Sequence, residues 1–509
     1  MSLGTTAAVA LVGLAGHVVE VQAQLAYSVP GFTLVGLPDT ALSESRDRVR
    51  AAVLSTGLAW PNRKITVNLS PASLPKHGSA FDLAIAVAVL AGAGVATAPG
   101  LDRVVHLGEL GLDGRLQPVR GVLPMVAAAV AAGYRDVVVP TADVPEASLV
   151  PGARVRGATT LADVVTMHGG PACAAPDVEP ARRARVTGTR RAPGDLADVL
   201  GQDLPRLALE IAAAGGHHLL FTGPPGAGKT MLASRLPGIL PDLTEAEAVE
   251  VTAVHSVAGT FDPGGGLVTR PPYEDPHHTA TPAAVVGGGS GLPRPGAASR
   301  AHRGVLFLDE APEFSARVLE TLRQPLEHGE LVIHRSGGTA RFPARFQLVI
   351  AANPCPCGMG SGKGLECVCT PMAKRRYLSR LSGPLLDRVD LQVEVEAVGR
   401  AGMRGERGES SAAVAARVAA ARAAARARLA GTPWTVNAEA PGPWLRERLR
   451  PRWSVMRDVD RALDAGALSL RGADRVLRLA YTVADLAGRD EPTAGDVGQA
   501  LALRTGRAA

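Results

Sequence analysis

The stretch HHLLFTGPPGAGKTMLASRL, residues 217–236, decides how this chain is read. A short apolar strand, Leu219 to Thr222, runs into a glycine-rich turn, and the turn runs into a helix. Gly223 to Thr230 satisfies G-x-x-x-x-G-K-[ST] in the strand–turn–helix setting that the motif requires. Gly223, Pro224, Pro225, Gly226, Ala227 and Gly228 form a loop whose backbone N–H groups can wrap a phosphate. The helix N-terminus adds the positive end of its dipole. Lys229 can bridge β- and γ-phosphates, and Thr230 can ligate Mg²⁺. ATP and Mg²⁺ are therefore the expected cofactors.

Two further strands complete the pattern. GVLFLDEAPEF, residues 304–314, puts Asp309 and Glu310 at the tip of an apolar run. Asp309 can hold the Mg²⁺ shell and Glu310 can polarise the attacking water. FQLVIAANP, residues 346–354, ends in Asn353. A polar strand tip there can orient the lytic water or sense phosphate, although an Asn before Pro is by itself a turn former.

The remaining chain sets the frame. At 509 residues it predicts about three to four domains. Hydrophobic content of 46% and a mean hydropathy of +0.12 come largely from Ala, Val and Gly. The longest uncharged apolar stretch, Leu83 to Ala98, is shorter than the ~20 residues that cross a bilayer, so a buried helix is expected. The first Lys or Arg is Arg46, unlike a secretory signal, which predicts a cytoplasmic protein without a membrane partner. A net charge of +6 permits nucleic-acid binding without requiring it.

Residues 1–170 alternate strand-like runs (KITVNLSPASL, YRDVVVP) with Ala-rich helical ones (FDLAIAVAVLAGAG, PMVAAAVAAG), as in a compact α/β domain. Residues 171–195 read as a linker with arginines at 182, 183, 185, 190 and 191. Residues 196–400 hold the motifs above. GRAGMRGERGESS is a break, and 411–509 read as a small helical domain.

Strand–P-loop–helix, strand-Asp-Glu and strand-Asn together resemble an AAA+ ATPase. The flanking segments GQDLPRLALEIAAAGGHHLLFTGPPGAGKT, RGVLFLDEAPEFSARVLETLRQPLEHG, ANPCPCG and RLSGPLLDRVDLQVEV resemble more narrowly the YifB/ComM family of magnesium-chelatase-like AAA+ proteins. The resemblance spans nearly the whole chain. It implies an α/β architecture: an N-terminal Lon-protease-like domain, a central AAA+ P-loop domain of the helix-2-insert clade, and a C-terminal helical lid. It also implies a ring, usually a homo-hexamer. GPLLDRVD puts Arg388 where the clade carries its arginine finger, and SLRGADRVLRLA puts Arg471 where it carries a second sensor, with Arg475 one turn on.

PPYEDPHHTATPAAVVGGGSGLPRPGAASRAHRG, between the phosphate loop and the Asp309–Glu310 tip, resembles the helix-2 insert; its His277 and His278 could ligate a metal, but no second ligand pair stands nearby, so structural or loop roles are expected. GELVIHRSGGTARFPARFQLV reads as a hairpin, which in the clade points into the ring pore. His334, Arg335 and Arg341 would then face DNA phosphates; an ordinary exposed hairpin is the alternative.

NPCPCGMGSGKGLECVCT, residues 353–370, carries Cys355, Cys357, Cys367 and Cys369. Four thiols in this spacing can close a structural tetrahedral Zn²⁺ site; free thiols and a redox pair are the competing readings. A zinc knuckle here is expected to act on turnover or ring stability more than on ATP affinity.

LPKHGSAFDLA and GELGLDGRLQPVRGVLPMVAAAVAAG are similar to the Lon protease domain, which uses a Ser–Lys dyad. Here Ser79 stands one position early, and Leu123 occupies the place of the lysine. A leucine cannot take a proton from a serine, so the fold is expected without proteolysis.

The sequence therefore predicts an AAA+ ATPase, read as a ring-forming motor on single-stranded or branched DNA that performs helicase or branch-migration work. A chelatase-type motor that remodels a partner protein, and a non-translocating regulatory or assembly ATPase, are the rival readings. An aromatic content of 3% argues against base stacking as the main grip.

Overall fold

A computed structural model of the chain describes residues 2–37, 39–173, 178–181, 183, 194–289, 293–335, 338–360, 367–399 and 407–506. The linker arginines 182, 185, 190 and 191 and most of the break at 399–411 lie outside the described residues.

The N-terminal part is built on a seven-stranded mixed sheet. From edge to edge it runs Gly31–Val35, Lys64–Ser70, Ala15–Ala26, Ser2–Val12, Val104–His106, Asp136–Pro140 and Arg154–Ala158. Alternation along the strands sends side chains to opposite faces, and a separate apolar core fills each face. One core gathers Val19, Val21, Ile65 and Val67 around the helix Asp82–Gly92. That helix is the long apolar stretch of the sequence, and it is buried on nearly every side. The other core centres on the helix Val122–Ala131 and takes in Ala253 from the helix Glu245–Ala258. The N-terminal domain is thereby packed onto the ATPase domain.

The central sheet has five parallel strands in the order Tyr273–Glu274, Val305–Leu308, Gln347–Ala352, Leu219–Thr222, Leu391–Glu394. Parallel strands covered on both faces read as unbroken apolar runs, which is why LLF and VLFL were legible as strands. Leu219 and Phe221 face a core shared with the helix Asp203–Gly215 and with C-terminal residues such as Val476, Leu479 and Val497. Leu220, Leu306 and Leu308 face the other core, with Val285, Phe314 and Leu385. The C-terminal helices are thus continuous with the apolar interior of the ATPase sheet.

Sheet and C-terminal helices are also joined by buried polar groups. The Asp390 carboxylate, just before the last strand, binds Arg475 of the helix Leu470–Leu486 and lies 3.3 Å from His217 Nδ1. His217 Nε2 is 2.8 Å from the Thr482 hydroxyl, and Asn437 continues the chain to Thr482 and Asp485. Burial alone would raise the Asp390 pKa; the hydrogen bond from His217 and the charge of Arg475 hold it well below the usual carboxylate range.

Among the described residues no helix is long and apolar enough to cross a membrane.

Candidate active site

Parallel pairing brings the C-terminal ends of the central strands to one edge of the sheet, where ligands of open α/β sheets bind. Thr222 pairs with Ala352 and with Glu394, and Leu308 with Ile350. The residues just after these strands, Gly223, Asp309 and Asn353, therefore stand side by side. Proximity that was only a sequence pattern becomes geometry here.

The loop is held from several directions. The Gly223 N–H donates to the Ala352 carbonyl across 3.2 Å. A Cβ on Gly223 would sit 2.1 Å from the Val395 carbonyl oxygen, so only glycine fits. Gly226 and Gly228 have φ of 77° and 96°, the left-handed region that glycine enters without penalty. Gln202, absent from the sequence reading, donates to the Ala227 carbonyl at 3.2 Å and the Glu396 carbonyl at 2.6 Å. Its only signal was its place in the GQDLPRLALE segment.

Lys229 opens the helix Lys229–Ile239 and is buried. Its ammonium donates to the carbonyls of Gly223 (2.7 Å) and Pro224 (2.9 Å) and to Asn353 Oδ1 (3.0 Å). Burial lowers its pKa, opposed by the nearby charges of Asp309 and Glu310. The Thr230 hydroxyl donates to Asp309 Oδ2 at 2.6 Å, and Asp309 Oδ1 accepts the Glu310 N–H at 2.9 Å. Ammonium, hydroxyl and carboxylate thus point into one space, and the loop leaves room for backbone to meet a phosphate. These residues fit a nucleoside triphosphate with its magnesium ion.

Glu310 is exposed and adopts left-handed backbone, with φ of 48°. Its carboxylate lies 3.5 Å from Nδ1 of His278. His278 lies in a loop, and the fold brings it onto Glu310, a pairing that the sequence does not announce.

Arg388 does not reach this site within its own chain. It is paired with Glu327, its backbone carbonyl accepts from Arg475 (3.1 Å), and its side chain is 16% exposed. Burial and then the charges of Arg323, Arg475 and Arg471 lower its pKa. Arg475 is committed to Asp390, while Arg471 is exposed at the start of the same helix. In the hairpin of Glu330–Arg335 and Gly338–Pro343, His334 Nδ1 meets the Thr339 hydroxyl at 3.0 Å and Arg341 pairs with Glu330 at 2.8 Å. The hairpin tip and the Arg335 side chain lie outside the described residues. The N-terminal domain touches this hairpin: a Cβ on Gly13 would stand 2.4 Å from the Arg341 carbonyl oxygen.

The cysteines converge. Cys355 Sγ is 3.3 Å from Cys357 Sγ and 3.6 Å from Cys367 Sγ, which is 3.7 Å from Cys357 Sγ. All four sulfurs, Cys369 included, lie within 4.8 Å of one another. Zn–S bonds of ~2.3 Å in a tetrahedron place sulfurs about 3.8 Å apart, so this donor set fits zinc. The Met359 N–H and the neighbouring thiols lower the Cys357 thiol to about 6, while burial pushes Cys355 up to about 11.

In the N-terminal domain the Ser79 hydroxyl donates to Glu109. Leu123 is buried, and its N–H donates to Glu146 at 2.9 Å.

The segment carrying this site, residues 195–403, matches the family model described as magnesium chelatase, subunit ChlI. Residues 408–504 match the C-terminal model of that subunit, and 19–143 match a model described as subunit ChlI of Mg-chelatase. The uncharacterized protein Rv2897c of Mycobacterium tuberculosis is 52% identical over 504 residues, 99% of each chain. Competence protein ComM of Haemophilus influenzae is 41% identical over 511 residues, 99% of this chain and 98% of its own. The uncharacterized protein YifB of Escherichia coli is 40% identical over 507 residues, 99% and 97% of the two chains. Fold and site define a magnesium-chelatase-like ATPase of the AAA+ type. The chain belongs to the YifB/ComM family of these proteins, a family that implies the use of ATP and Mg²⁺.

Proposed function

We propose that the protein is a ring-forming ATPase motor that moves on DNA, in helicase or branch-migration work on recombination intermediates. The observation that carries the ATPase step is the convergence of Lys229, Thr230, Asp309, Glu310 and Asn353 at one sheet edge. Bound ATP with Mg²⁺ supplies the phosphoanhydride bond that is broken. Lys229 exchanges its loop carbonyls for phosphate oxygens, Thr230 and Asp309 hold the cation shell, and Glu310 takes up the proton of the attacking water. Asn353, already at 3.0 Å from Lys229, orients that water or reports the phosphate. Arg388 acts on the site of the neighbouring subunit in a homo-hexamer, with Arg471 as the second sensor. The Cys355, Cys357, Cys367 and Cys369 set holds a structural Zn²⁺, a reading supported by the sulfur spacing. The N-terminal domain is a Lon-like fold that no longer cleaves peptides.

Full-length similarity to a competence protein and the basic residues of the hairpin, His334, Arg335 and Arg341, support DNA as the partner. The deciding experiment is the ATPase rate with and without single-stranded, duplex and four-way-junction DNA. Stimulation by one of these, lost in Arg341→Ala and salt-sensitive, is the expected result. A rate indifferent to every DNA would instead favour a motor that remodels a partner protein, the reading suggested by the chelatase models.

A further inference from the structure

The cysteine cluster and the phosphate loop touch. Gly358, one residue after Cys357, has φ of 78° and packs on the ring of Pro225 in the loop. A Cβ added to Gly358 would stand 2.5 Å from Pro225 Cδ and 2.6 Å from its Cγ. The Gly358 N–H donates to the Cys355 carbonyl at 3.0 Å, closing the turn that presents Cys355 and Cys357. Gly360 lies against the sulfur itself, where an added Cβ would be 3.0 Å from Cys355 Sγ. A second connection runs through Asn353, which receives Lys229 and stands two residues before Cys355. On the far side of the cluster, Thr370 caps the helix Pro371–Leu378 by accepting the Ala373 N–H at 3.2 Å. Just beyond that helix, Arg380 donates to the Pro312 carbonyl (3.1 Å) and to Glu313 (3.0 Å), in the turn after Glu310. The cluster therefore lies against the phosphate loop, and the segment that follows it reaches the turn behind Glu310.

We propose that metal binding at the four thiols and nucleotide binding at the phosphate loop are coupled, each tightening the other. The inference rests on the zinc reading given above. Without the metal, the Cys355–Cys357 turn meets Cys367 through weak thiol–thiol contacts of 3.6 and 3.7 Å. The Gly358 face against Pro225 and the Asn353 amide against Lys229 then have to be ordered when nucleotide binds. Zinc fixes that turn in advance, displacing thiol protons to solvent as it does so. Binding linkage is reciprocal, so nucleotide must raise zinc affinity by the same factor. The proposal adds nucleotide affinity to the turnover and ring stability on which a knuckle here was expected chiefly to act, because the contact with Pro225 is not visible in the sequence.

The test uses the full chain, purified under reducing conditions. Zinc content is measured first, and zinc affinity is then titrated against a chromogenic chelator with and without ADP. Nucleotide affinity is measured in zinc-loaded and zinc-stripped protein. We expect about one zinc per chain and an affinity change of about 5- to 150-fold in both directions, the usual range of coupling between sites. Lys229→Ala should show no effect of nucleotide on zinc. Gly358→Ala, which pushes the turn off Pro225 while leaving all four thiols, should keep the zinc and the nucleotide but shrink the factor. Protein that holds no zinc would overturn the zinc reading itself. Protein that holds zinc with equal affinity in the presence and absence of ADP would overturn the coupling alone, as would an undiminished factor in a zinc-loaded Gly358→Ala variant.

Discussion

Arg388 is ion-paired with Glu327 of its own chain, and its backbone carbonyl is held by Arg475. In the proposed ring its guanidinium exchanges that acid for a phosphate bound by the neighbouring subunit. Arg388→Ala should bind ATP but hydrolyse it slower by ~10³-fold or more. Mixing it with Glu310→Gln should restore part of the activity, because one type of mixed interface keeps both groups. Single-turnover assays of co-assembled mixtures check this; no recovery at any ratio would mean that Arg388 is only structural.

Lys229 and Glu310 should fail in different ways. Lys229→Ala removes the charge that three oxygen acceptors now share, and nucleotide binding should be abolished in a fluorescence or calorimetric titration. Glu310→Gln keeps the cation ligands and removes the base, so ATP should remain bound and uncleaved. Normal turnover in either variant would remove the site assignment.

Arg475 and Asp390 form a buried pair whose loss is readable as stability. Arg475→Ala removes the guanidinium bound to the buried Asp390 carboxylate and leaves it His217 and the His218 N–H as hydrogen-bond partners, with the charges of Arg478 and Arg504 farther off. Breaking such a pair costs about 3–5 kcal/mol, which urea denaturation would register. A loss below about 1 kcal/mol, the range of exposed pairs, would show that the network carries no such weight.

Ser79 offers a negative prediction. Its hydroxyl is occupied by Glu109, and Leu123 is packed in a core. Ser79→Ala should leave ATPase and DNA-dependent activities unchanged, with no casein cleavage in either protein. Peptidase activity that vanishes in the variant would contradict the reading of the domain as catalytically dead.

The N-terminal domain should lose stability in acid. His106 Nε2 lies 2.8 Å from His168 Nε2, and His106 Nδ1 is 2.7 Å from the Thr6 hydroxyl. Burial, with the charge of Arg156 adding to it, lowers His168 to about 4 and His106 well below its usual 6.5. Below pH 6.5 the unfolded chain takes up protons that the folded domain refuses until about pH 4. Stability is therefore complete above pH 6.5 and falls as pH drops through that window. Urea midpoints at about pH 7.5 and about pH 5, on either side of the free imidazole's pKa, should differ less in His168→Gln than in wild type. An equal difference would exclude the pair as the cause.

The chemistry that can be read along a line was legible in the sequence. The phosphate loop, the Asp309–Glu310 tip and Asn353 each come after an apolar run, because a parallel strand buried on both faces must be apolar and its polar successor must fall at the sheet edge. The cysteines were legible as a group because four thiols between residues 355 and 369 need little folding to meet. Contacts between distant segments were not legible. Nothing in the spacing announced Gln202 beneath the loop, His278 facing Glu310, Glu327 holding Arg388 or Pro225 resting on Gly358. The partners in each contact belong to different elements, so its existence depends on how the sheet and helices stack. The sequence by itself determined which residues the glycine-rich loop and the strand tips carry, and the order of the segments. The tertiary structure alone decided that the cysteine turn packs on Pro225, that Glu327 holds Arg388, and that the C-terminal helices share the core of the central sheet, because packing, unlike local pattern, brings together residues that the chain keeps apart.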